Sequence, residues 1–192
     1  MSGVSKAIVQ PLLSWYDAGH RDLPWRSEPA PYRVWVSEIM LQQTRVEAVR
    51  GYFSRWMNAL PDIPALAAAD EAVYTKLWEG LGYYSRVRNL HRAAILLCEE
   101  YGGELPADYD RLLALPGVGE YTAGAVASIA FGLPVPAVDG NVLRVAARLD
   151  NDFTPITDAK FKKQTRERFA ALMPSDRPGD LNQSLMELGA TV

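Results

Sequence analysis

Apolar residues recur along this chain mostly at helical spacing, three or four positions apart, and Pro and Gly separate the periodic segments. Segments of strand length in which apolar and polar residues alternate are scarce. The best strand candidate, 135–138, contains Pro136 and follows Pro134, and proline cannot donate to a β-ladder. We therefore predict an all-α fold. The predicted helices are 4–18, 32–44, 45–59, 71–78, 87–101, 109–114, 120–131, 141–150, 158–172 and 181–189.

The most informative segment is a glycine-rich turn at 115–119, which reads Leu-Pro-Gly-Val-Gly and precedes an Ala-rich helical segment. Gly117 and Gly119 can adopt positive φ angles and have no Cβ atom in the way. The amides that open the next helix can then face a phosphate oxygen. The segment predicts a helix-hairpin-helix turn with Gly117, Val118 and Gly119 against a nucleic-acid backbone, although Gly-x-Gly before a helix is common.

Composition and charge narrow the class of protein without deciding it. The 192 residues carry a net charge of −3, which counts against a general polyanion binder but allows a local basic surface such as 86–92. Cys98 is the only cysteine, and no cluster of Cys and His is present whose side chains could bind zinc or an iron–sulfur centre. We find neither a secretory signal nor a membrane-spanning apolar segment, and we expect a cytoplasmic protein.

Glu38 is the first candidate catalytic residue. One face of its predicted helix is apolar at positions 32, 35, 36, 39 and 40, and Val34 and Leu41 flank Glu38 at i−4 and i+3. In such surroundings desolvation raises the pKa of a carboxyl, as a general acid near neutral pH requires. The helix alone is equally compatible with a Glu on an exposed stripe.

Asp139 is the second candidate, and it immediately precedes the predicted helix 141–150. Asp is a favoured N-cap, so a structural role is a strong alternative, and the two roles can coexist. We expect backbone amides and the helix dipole to lower the pKa of Asp139 and keep it ionised. A carboxyl with a raised pKa and a carboxylate with a lowered pKa are typical of sugar–heteroatom bond cleavage, in which one protonates the leaving group and the other stabilises an oxocarbenium ion.

Amide and aromatic side chains at turns are candidates for contact with bases. Gln42 and Gln43 end the predicted helix that carries Glu38, and Tyr83 follows a turn flanked by glycines. Exposed side chains of these types can wedge into a base stack and hydrogen bond to base edges, although such a Tyr is more often a packed lid of the core. Trp25 and Arg26 could form the wall of a base pocket, although a Trp alone is more often part of the core.

Six stretches together closely resemble the adenine DNA glycosylase family of the MutY type, within the helix-hairpin-helix glycosylase superfamily. The resemblance covers nearly the whole chain, and the combination of motifs is highly specific. The stretches are 23–26, 35–44, 80–86, 115–123, 138–142 and 182–190.

The resemblance implies a reaction and roles for single residues. An adenine mispaired with 8-oxoguanine or guanine in double-stranded DNA would be flipped out and its glycosidic bond hydrolysed. Glu38 would protonate adenine at N7 and later activate water, and Asp139 would stabilise the oxocarbenium ion through a transient covalent adduct. Tyr121 and Asn141 would orient this pair. Arg26, Leu41 and Gln183 match adenine-pocket positions, Gln43 and Tyr83 match residues that intrude at the 8-oxoguanine, and Trp25, Gln42 and Thr44 are further contact candidates.

The resemblance also implies an organisation into two helical lobes. A helical barrel with the hairpin would comprise 23–131, and a second lobe would join 1–22 to 132–192. The family continues into four cysteines that bind a [4Fe–4S] cluster and into a C-terminal domain that helps to recognise 8-oxoguanine. Neither is in this sequence, which we interpret as truncated, although some relatives lack the cluster naturally. We expect an alkali or alkaline-earth ion on the hairpin backbone, and a nucleoid-associated monomer with no membrane partner.

Two alternatives stay open. An endonuclease III-type pyrimidine glycosylase and AP lyase carries a lysine where this chain has Tyr121, and a tyrosine cannot form the Schiff base that a lyase needs. The chain could also be a non-catalytic DNA-binding fragment, made inert by the missing C-terminal parts. The presence of both Glu38 and Asp139 argues against inactivity by loss of the active site.

Overall fold

The computed structural model describes residues 6–192, and in that range every regular element is helical. A short 3₁₀ segment, Lys6–Ile8, leads into the first α-helix. The prediction of an all-α fold is confirmed. Within 6–192, no helix is long and apolar enough to cross a membrane. The α-helices are α1 (Val9–Gly19), α2 (Pro31–Leu41), α3 (Val46–Ala59), α4 (Ile63–Ala67), α5 (Glu71–Trp78), α6 (Ser85–Tyr101), α7 (Tyr109–Leu113), α8 (Glu120–Phe131), α9 (Gly140–Asp150), α10 (Ala159–Ala170) and α11 (Pro178–Thr191).

Where the predicted helices differ from the observed ones, the causes are local. Helix α4 was not predicted: Asp62 caps it by accepting a hydrogen bond from the amide of Ala65 at 2.7 Å, and Pro64 occupies its first turn. Helix α2 ends at Leu41 rather than at 44, since Gln43 has a left-handed φ of 59°. The predicted start of the first helix, at 4–5, lies outside the described residues.

The chain divides into two compact units, and the two carboxyl candidates belong to different ones. The Glu38 unit comprises Asp22–Ala123. The Asp139 unit comprises the residues up to Arg21 together with Gly124–Val192. The predicted second boundary, at 131/132, lies at the end of α8, whereas this division falls inside α8. From Gly124 onward α8 packs closely on the segment after it, since a Cβ atom at Gly124 would lie 2.4 Å from the Pro136 carbonyl oxygen.

Three tryptophans and a phenylalanine form the centre of the Glu38 unit. Trp35 on α2, Trp56 on α3, Trp78 on α5 and Phe53 are almost fully buried. The rings of Trp56 and Trp78 meet edge to face with their centroids 5.6 Å apart. Trp56 Nε1 donates to the hydroxyl of Tyr32 at 3.0 Å, so its polar atom is paired inside the core. This packing fixes the helix that carries Glu38.

The Asp139 unit joins segments that are distant in sequence. Buried residues of α1, α9, α10 and α11, among them Leu13, Val142 and Phe169, form one apolar cluster. The guanidinium of Arg21 pairs with the buried carboxylate of Glu187 through two side-chain hydrogen bonds, Nε to Oε1 at 2.7 Å and Nη2 to Oε2 at 2.9 Å. The cluster fixes α9, at whose start Asp139 lies.

Candidate active site

Glu38 is buried in the middle of α2, with only 5% of its surface exposed. Every residue from Val34 to Met40 is buried, so α2 has no solvated stripe along this stretch. The sequence left the choice between a buried and an exposed Glu38 open, and the structure resolves it in favour of burial. A buried carboxyl requires hydrogen-bond partners, and the first turn of α8 supplies one.

Tyr121 is that partner. Its hydroxyl donates to Oε2 of Glu38 at 2.5 Å. One position further along α8, Thr122 Oγ1 accepts a hydrogen bond from Nε2 of Gln42 at 3.3 Å. Glu38 on α2 and Gln42, which directly follows α2, therefore bond to consecutive residues at the start of α8. A carboxyl fixed in this way through one oxygen is suited to general acid–base chemistry, which depends first on position.

Two exposed side chains of the Glu38 unit are attached to strained backbone. Gln43, just after α2, has a φ of 59°, and Tyr83, just before α6, has a φ of 48°. Residues other than glycine rarely adopt this left-handed conformation, which concentrates at functional sites. Gln43 is exposed, and so is 62% of Tyr83, so Tyr83 is not a packed lid of the core.

The turn between α7 and α8 depends on Gly117 for its conformation. Gly117 has a φ of 76°, and a Cβ atom there would lie 2.6 Å from Cβ of Asn89 on α6. Val118 is buried, and its amide donates to the carbonyl of Leu115 at 3.1 Å. Gly119 is exposed with open space around its Cα, but it does not adopt a positive φ, contrary to expectation. Gly119 thus leaves room for a close approach without shaping the turn.

In the Asp139 unit, Asp139 is the N-cap of α9. Oδ1 accepts from the amide of Val142 at 2.8 Å, and Oδ2 accepts from Nδ2 of Asn141 at 2.6 Å. Oδ1 of Asn141 accepts in turn from Nη2 of Arg144 at 2.5 Å, and the same nitrogen donates to the Gly189 carbonyl at 3.1 Å. These bonds orient the Asn141 amide and hold both carboxylate oxygens of Asp139.

The expectation of a lowered pKa at Asp139 is wrong. Burial raises the pKa of Asp139 above its ordinary value, and the hydrogen bonds from Val142 and Asn141 and the charge of Arg144 offset only part of that effect. The amides at the helix start are present as expected. The neighbours of Asp139 in the sequence do not indicate its desolvation, because that depends on how distant segments pack. Hydrogen bonds therefore stabilise the charged form of the Asp139 carboxylate, which burial disfavours.

Asn182 on α11 holds the extended segment that leads to Asp139. Its Nδ2 donates to Oγ of Ser128 at 2.7 Å and to the carbonyl of Val135 at 2.9 Å, and its Oδ1 accepts from the amide of Ala137 at 3.0 Å. A buried side-chain amide thus replaces the β-ladder that the prolines of this segment exclude. It fixes the backbone two residues before Asp139.

The predicted adenine-pocket residues differ in burial. Trp25 is buried, and its ring meets that of Phe53 edge to face at 5.4 Å, as in an ordinary core contact. Arg26 and Leu41, in the same unit, and Gln183, on α11 in the Asp139 unit, are all partly exposed. Their contacts with adenine stay predictions.

Three residues have bonding roles that were not predicted from the sequence: Arg86, Arg144 and Asn182. Arg86 and Asn182 lie within the six stretches, which was the only available signal, and Arg144 lies two residues beyond one of them. Several of their partners are 40 or more positions away, and side-chain spacing does not report such contacts.

Among the described residues, no group of three or more His, Cys, Asp or Glu side chains could hold a metal ion. A [4Fe–4S] cluster is held by four Cys thiolates and this chain has one cysteine, so its residues do not fit that cluster. The alkali or alkaline-earth ion expected on the hairpin would use backbone carbonyls, and it stays a prediction.

Comparison with known proteins places these features in a family. Residues 36–173 match the HhH-GPD superfamily base excision DNA repair protein family, over a range that includes Glu38, the turn at 115–119 and Asp139. The chain belongs to the HhH-GPD superfamily of base excision DNA repair proteins.

Curated relatives that match this HhH-GPD chain carry the name adenine DNA glycosylase. The mouse protein is 48% identical over 94% of this chain and 37% of its own length. The human protein is 47% identical over 94% of this chain and 35% of its own length. The Mycolicibacterium smegmatis protein is 44% identical over 94% of this chain and 61% of its own length. The chain thus spans less than two thirds of the length of each of these relatives.

Solved structures of other proteins share the fold. A thermostable thymine-DNA glycosylase is 27% identical with a TM-score of 0.86, over 97% of this chain and 86% of that chain. A trapped endonuclease III–DNA covalent intermediate is 24% identical with a TM-score of 0.77, over 95% of this chain and 85% of that chain. At this identity the second likeness concerns the fold alone.

Proposed function

We propose that this chain is the catalytic part of an adenine DNA glycosylase, which hydrolyses the glycosidic bond of an adenine mispaired with 8-oxoguanine or guanine in double-stranded DNA. The observation that carries the proposal is the buried carboxyl of Glu38 with the hydroxyl of Tyr121 bonded to it. A hydroxyl in this place can orient a carboxyl but cannot form a Schiff base, which favours a hydrolase without lyase activity. The relatives named adenine DNA glycosylase support adenine as the base.

In this proposal, Glu38 donates its proton to N7 of the flipped adenine. The bond between C1′ and N9 breaks, its electron pair stays with the base, and the sugar is left as an oxocarbenium ion. Glu38, now a carboxylate, accepts a proton from the water that attacks C1′. Its burial between apolar neighbours keeps competing water away from the proton. Tyr121 keeps the carboxyl in position through both steps.

Asp139 stabilises the positive charge that develops on the sugar: a carboxylate oxygen forms a transient bond to C1′, and this bond breaks, with its electron pair returning to the carboxylate, when water attacks C1′. Because burial disfavours its charge, Asp139 gains from a neighbouring positive charge, and this gain is largest when the oxocarbenium ion forms. The hydrogen bonds from Val142 and Asn141 hold the carboxylate in one orientation, so it needs no rearrangement during the reaction. Asn141 is thus a positioning residue.

Residues of both units bind the DNA in this proposal. Gln43 and Tyr83 intrude at the base opposite the adenine, and their exposure and turn positions support this role. The turn containing Gly117 contacts a phosphate, since its following helix presents amides at its start. The protein acts as a monomer. The remaining contacts proposed are Val118 and Gly119 at the backbone, Gln42 and Thr44 beside Gln43, and Trp25, Arg26, Leu41 and Gln183 around the adenine.

Single-turnover adenine release tests the proposal. Duplexes of identical sequence carry one adenine opposite 8-oxoguanine, guanine or thymine, and hot alkali converts each abasic site into a strand break. We expect release opposite 8-oxoguanine and guanine and none opposite thymine. Binding to all three duplexes without release from any of them would contradict the proposal and leave a non-catalytic DNA-binding fragment.

A pyrimidine glycosylase with AP lyase activity is the second candidate, because the likeness to a thymine-DNA glycosylase extends over nearly the whole chain. A lyase forms an imine with the abasic sugar, and borohydride reduces the imine to a stable protein–DNA adduct. With Tyr121 in place of an amine, we expect no trapped adduct and no strand break before alkali. A trapped adduct, or release of thymine in place of adenine, would support this second function.

A further inference from the structure

Arg86, the second residue of α6, bonds to the end of α2. Its Nη1 donates to the carbonyls of Ile39 at 3.0 Å, Met40 at 3.2 Å and Gln42, the last at a shorter distance. Carbonyls at the end of a helix lack partners within the helix, and they attract a positive charge. A partly buried guanidinium therefore caps the helix that carries Glu38.

The other terminal nitrogen of Arg86 bonds to the glycine-flanked turn before α6. Nη2 donates to the carbonyls of Leu81 at 3.0 Å and Gly82 at 3.3 Å, and to Oγ1 of Thr44 at 3.4 Å. The guanidinium also lies over the ring of Tyr83, 5.6 Å from its centroid. One side chain thus joins segments 39–44 and 81–83.

These two segments carry both left-handed, non-glycine residues of the Glu38 unit, Gln43 and Tyr83. Such conformations persist only where the surrounding structure holds them. For each of the two residues, Arg86 bonds to the carbonyl of the residue just before it, Gln42 for Gln43 and Gly82 for Tyr83. Both side chains are exposed, so these bonds hold their backbone and leave the side chains open to a ligand.

We infer that Arg86 is a positioning residue that presents Gln43 and Tyr83 as a rigid pair to the base opposite the target adenine, and so sets mismatch discrimination. The inference rests on the proposed function. The planar fork of arginine reaches both segments at once, whereas a lysine offers one point of charge. Both terminal nitrogens already bond to protein oxygens, so Arg86 acts through Gln43 and Tyr83 rather than on a phosphate.

The test compares Arg86→Lys and Arg86→Ala with Arg88→Ala, each in the full 192-residue chain. Arg88→Ala removes the same charge from the same helix, but the side chain of Arg88 is exposed and pairs with Glu71. Two quantities are measured. The first is the ratio of the Kd value for the duplex with adenine opposite thymine to the Kd value for the duplex with adenine opposite 8-oxoguanine. The second is the single-turnover rate of adenine release at saturating protein. Tyr83→Ala and the double variant with Arg86→Ala are measured alongside, and methylguanidinium is added to Arg86→Ala.

We expect both Arg86 variants to lose about tenfold or more in the Kd ratio, comparable to one charge-assisted hydrogen bond, and Arg88→Ala to keep the ratio. Among the single variants, only Arg86→Ala should regain discrimination when methylguanidinium is added. The double variant should discriminate no worse than Tyr83→Ala, since Arg86 acts through that side chain. An unchanged ratio in Arg86→Lys, or losses that multiply in the double variant without rescue, would overturn the inference. If wild type discriminates between the duplexes but releases no adenine, the proposed function fails while the inference stands.

Discussion

The two candidate catalytic carboxyl groups, Glu38 and Asp139, have similar chemistry but opposite structural settings. Glu38 lies in the middle of a buried helix, and a phenolic hydroxyl from the first turn of α8 holds it. Asp139 lies at the start of a helix, and its own following residues hold it through a backbone amide and a side-chain amide. The Glu38 setting depends on tertiary packing, whereas most of the Asp139 setting is local.

This difference explains how one fold can assign different tasks to two acids. A proton donor needs a dry position and one fixed oxygen; the buried helix α2 supplies the first to Glu38, and Tyr121 on α8 supplies the second. A group that stabilises positive charge needs to stay ionised and fixed, and the hydrogen bonds at the start of α9 support this at Asp139. Burial nevertheless raises the pKa of Asp139, so the packing and the local hydrogen bonds shift this pKa in opposite directions.

The largest effect should come from Glu38→Gln, which keeps the shape of the side chain and removes its proton. Loss of a general acid–base should slow adenine release by about 10²- to 10⁴-fold. Single-turnover release from the duplex with adenine opposite 8-oxoguanine measures it. Glu47→Gln, on the exposed surface of α3, is the matched control and should keep the wild-type rate. A Glu38→Gln rate within threefold of wild type would contradict the role of Glu38.

Tyr121→Phe should have the next largest effect. The change removes only the hydroxyl that donates to Glu38, and a hydrogen bond to a charged group accounts for about a 10- to 100-fold change. The same single-turnover assay measures the rate. Tyr52→Phe serves as the control, because its hydroxyl donates to the backbone carbonyl of Glu79 instead. Equal rates for the two variants would mean that Tyr121 does not position Glu38.

Local signals made much of this comparison predictable from the sequence. The apolar neighbours of Glu38 made burial one of two equally favoured positions, and the position of Asp139 before α9 indicated an N-cap. Helix α8 was predicted at its observed bounds, since its ends carry clear signals. The sequence could not indicate the sign of the pKa shift at Asp139, because desolvation depends on segments far away in the chain. For the same reason the contacts of Arg86 and Asn182 could not be predicted.

Asn182→Ala tests whether the Asp139 setting is only local. The change leaves buried groups on Ser128 and Ala137 and a partly buried carbonyl on Val135 without their amide partner, which should lower the free energy of unfolding by about 1–3 kcal/mol. Urea denaturation followed by circular dichroism measures this change. Asn58→Ala, on the exposed face of α3, should unfold like wild type. Identical unfolding of both variants would show that α11 does not hold the segment before Asp139.

Asn141→Ala should have the smallest effect, a shift in the pH dependence of adenine release. The amide of Asn141 favours the charged form of Asp139, so its loss raises the pKa of Asp139 further. The carboxylate is then protonated at a higher pH, and the acid limb of the rate profile moves to higher pH. Arg144→Ala should shift the limb in the same direction, because Arg144 also lowers that pKa. A shift to lower pH in either variant would contradict the assignment of this limb to Asp139.

The central claim is that Glu38 and Asp139 act in one reaction. Single-turnover rates of wild type, Glu38→Gln, Asp139→Asn and the double variant, on the duplex with adenine opposite 8-oxoguanine, test it most directly. Residues that act as one unit give losses that do not multiply. We therefore expect each single variant to lose most of the activity and the double variant to be about as slow as the slower single one. A single variant with the wild-type rate, or losses that multiply, would contradict the claim.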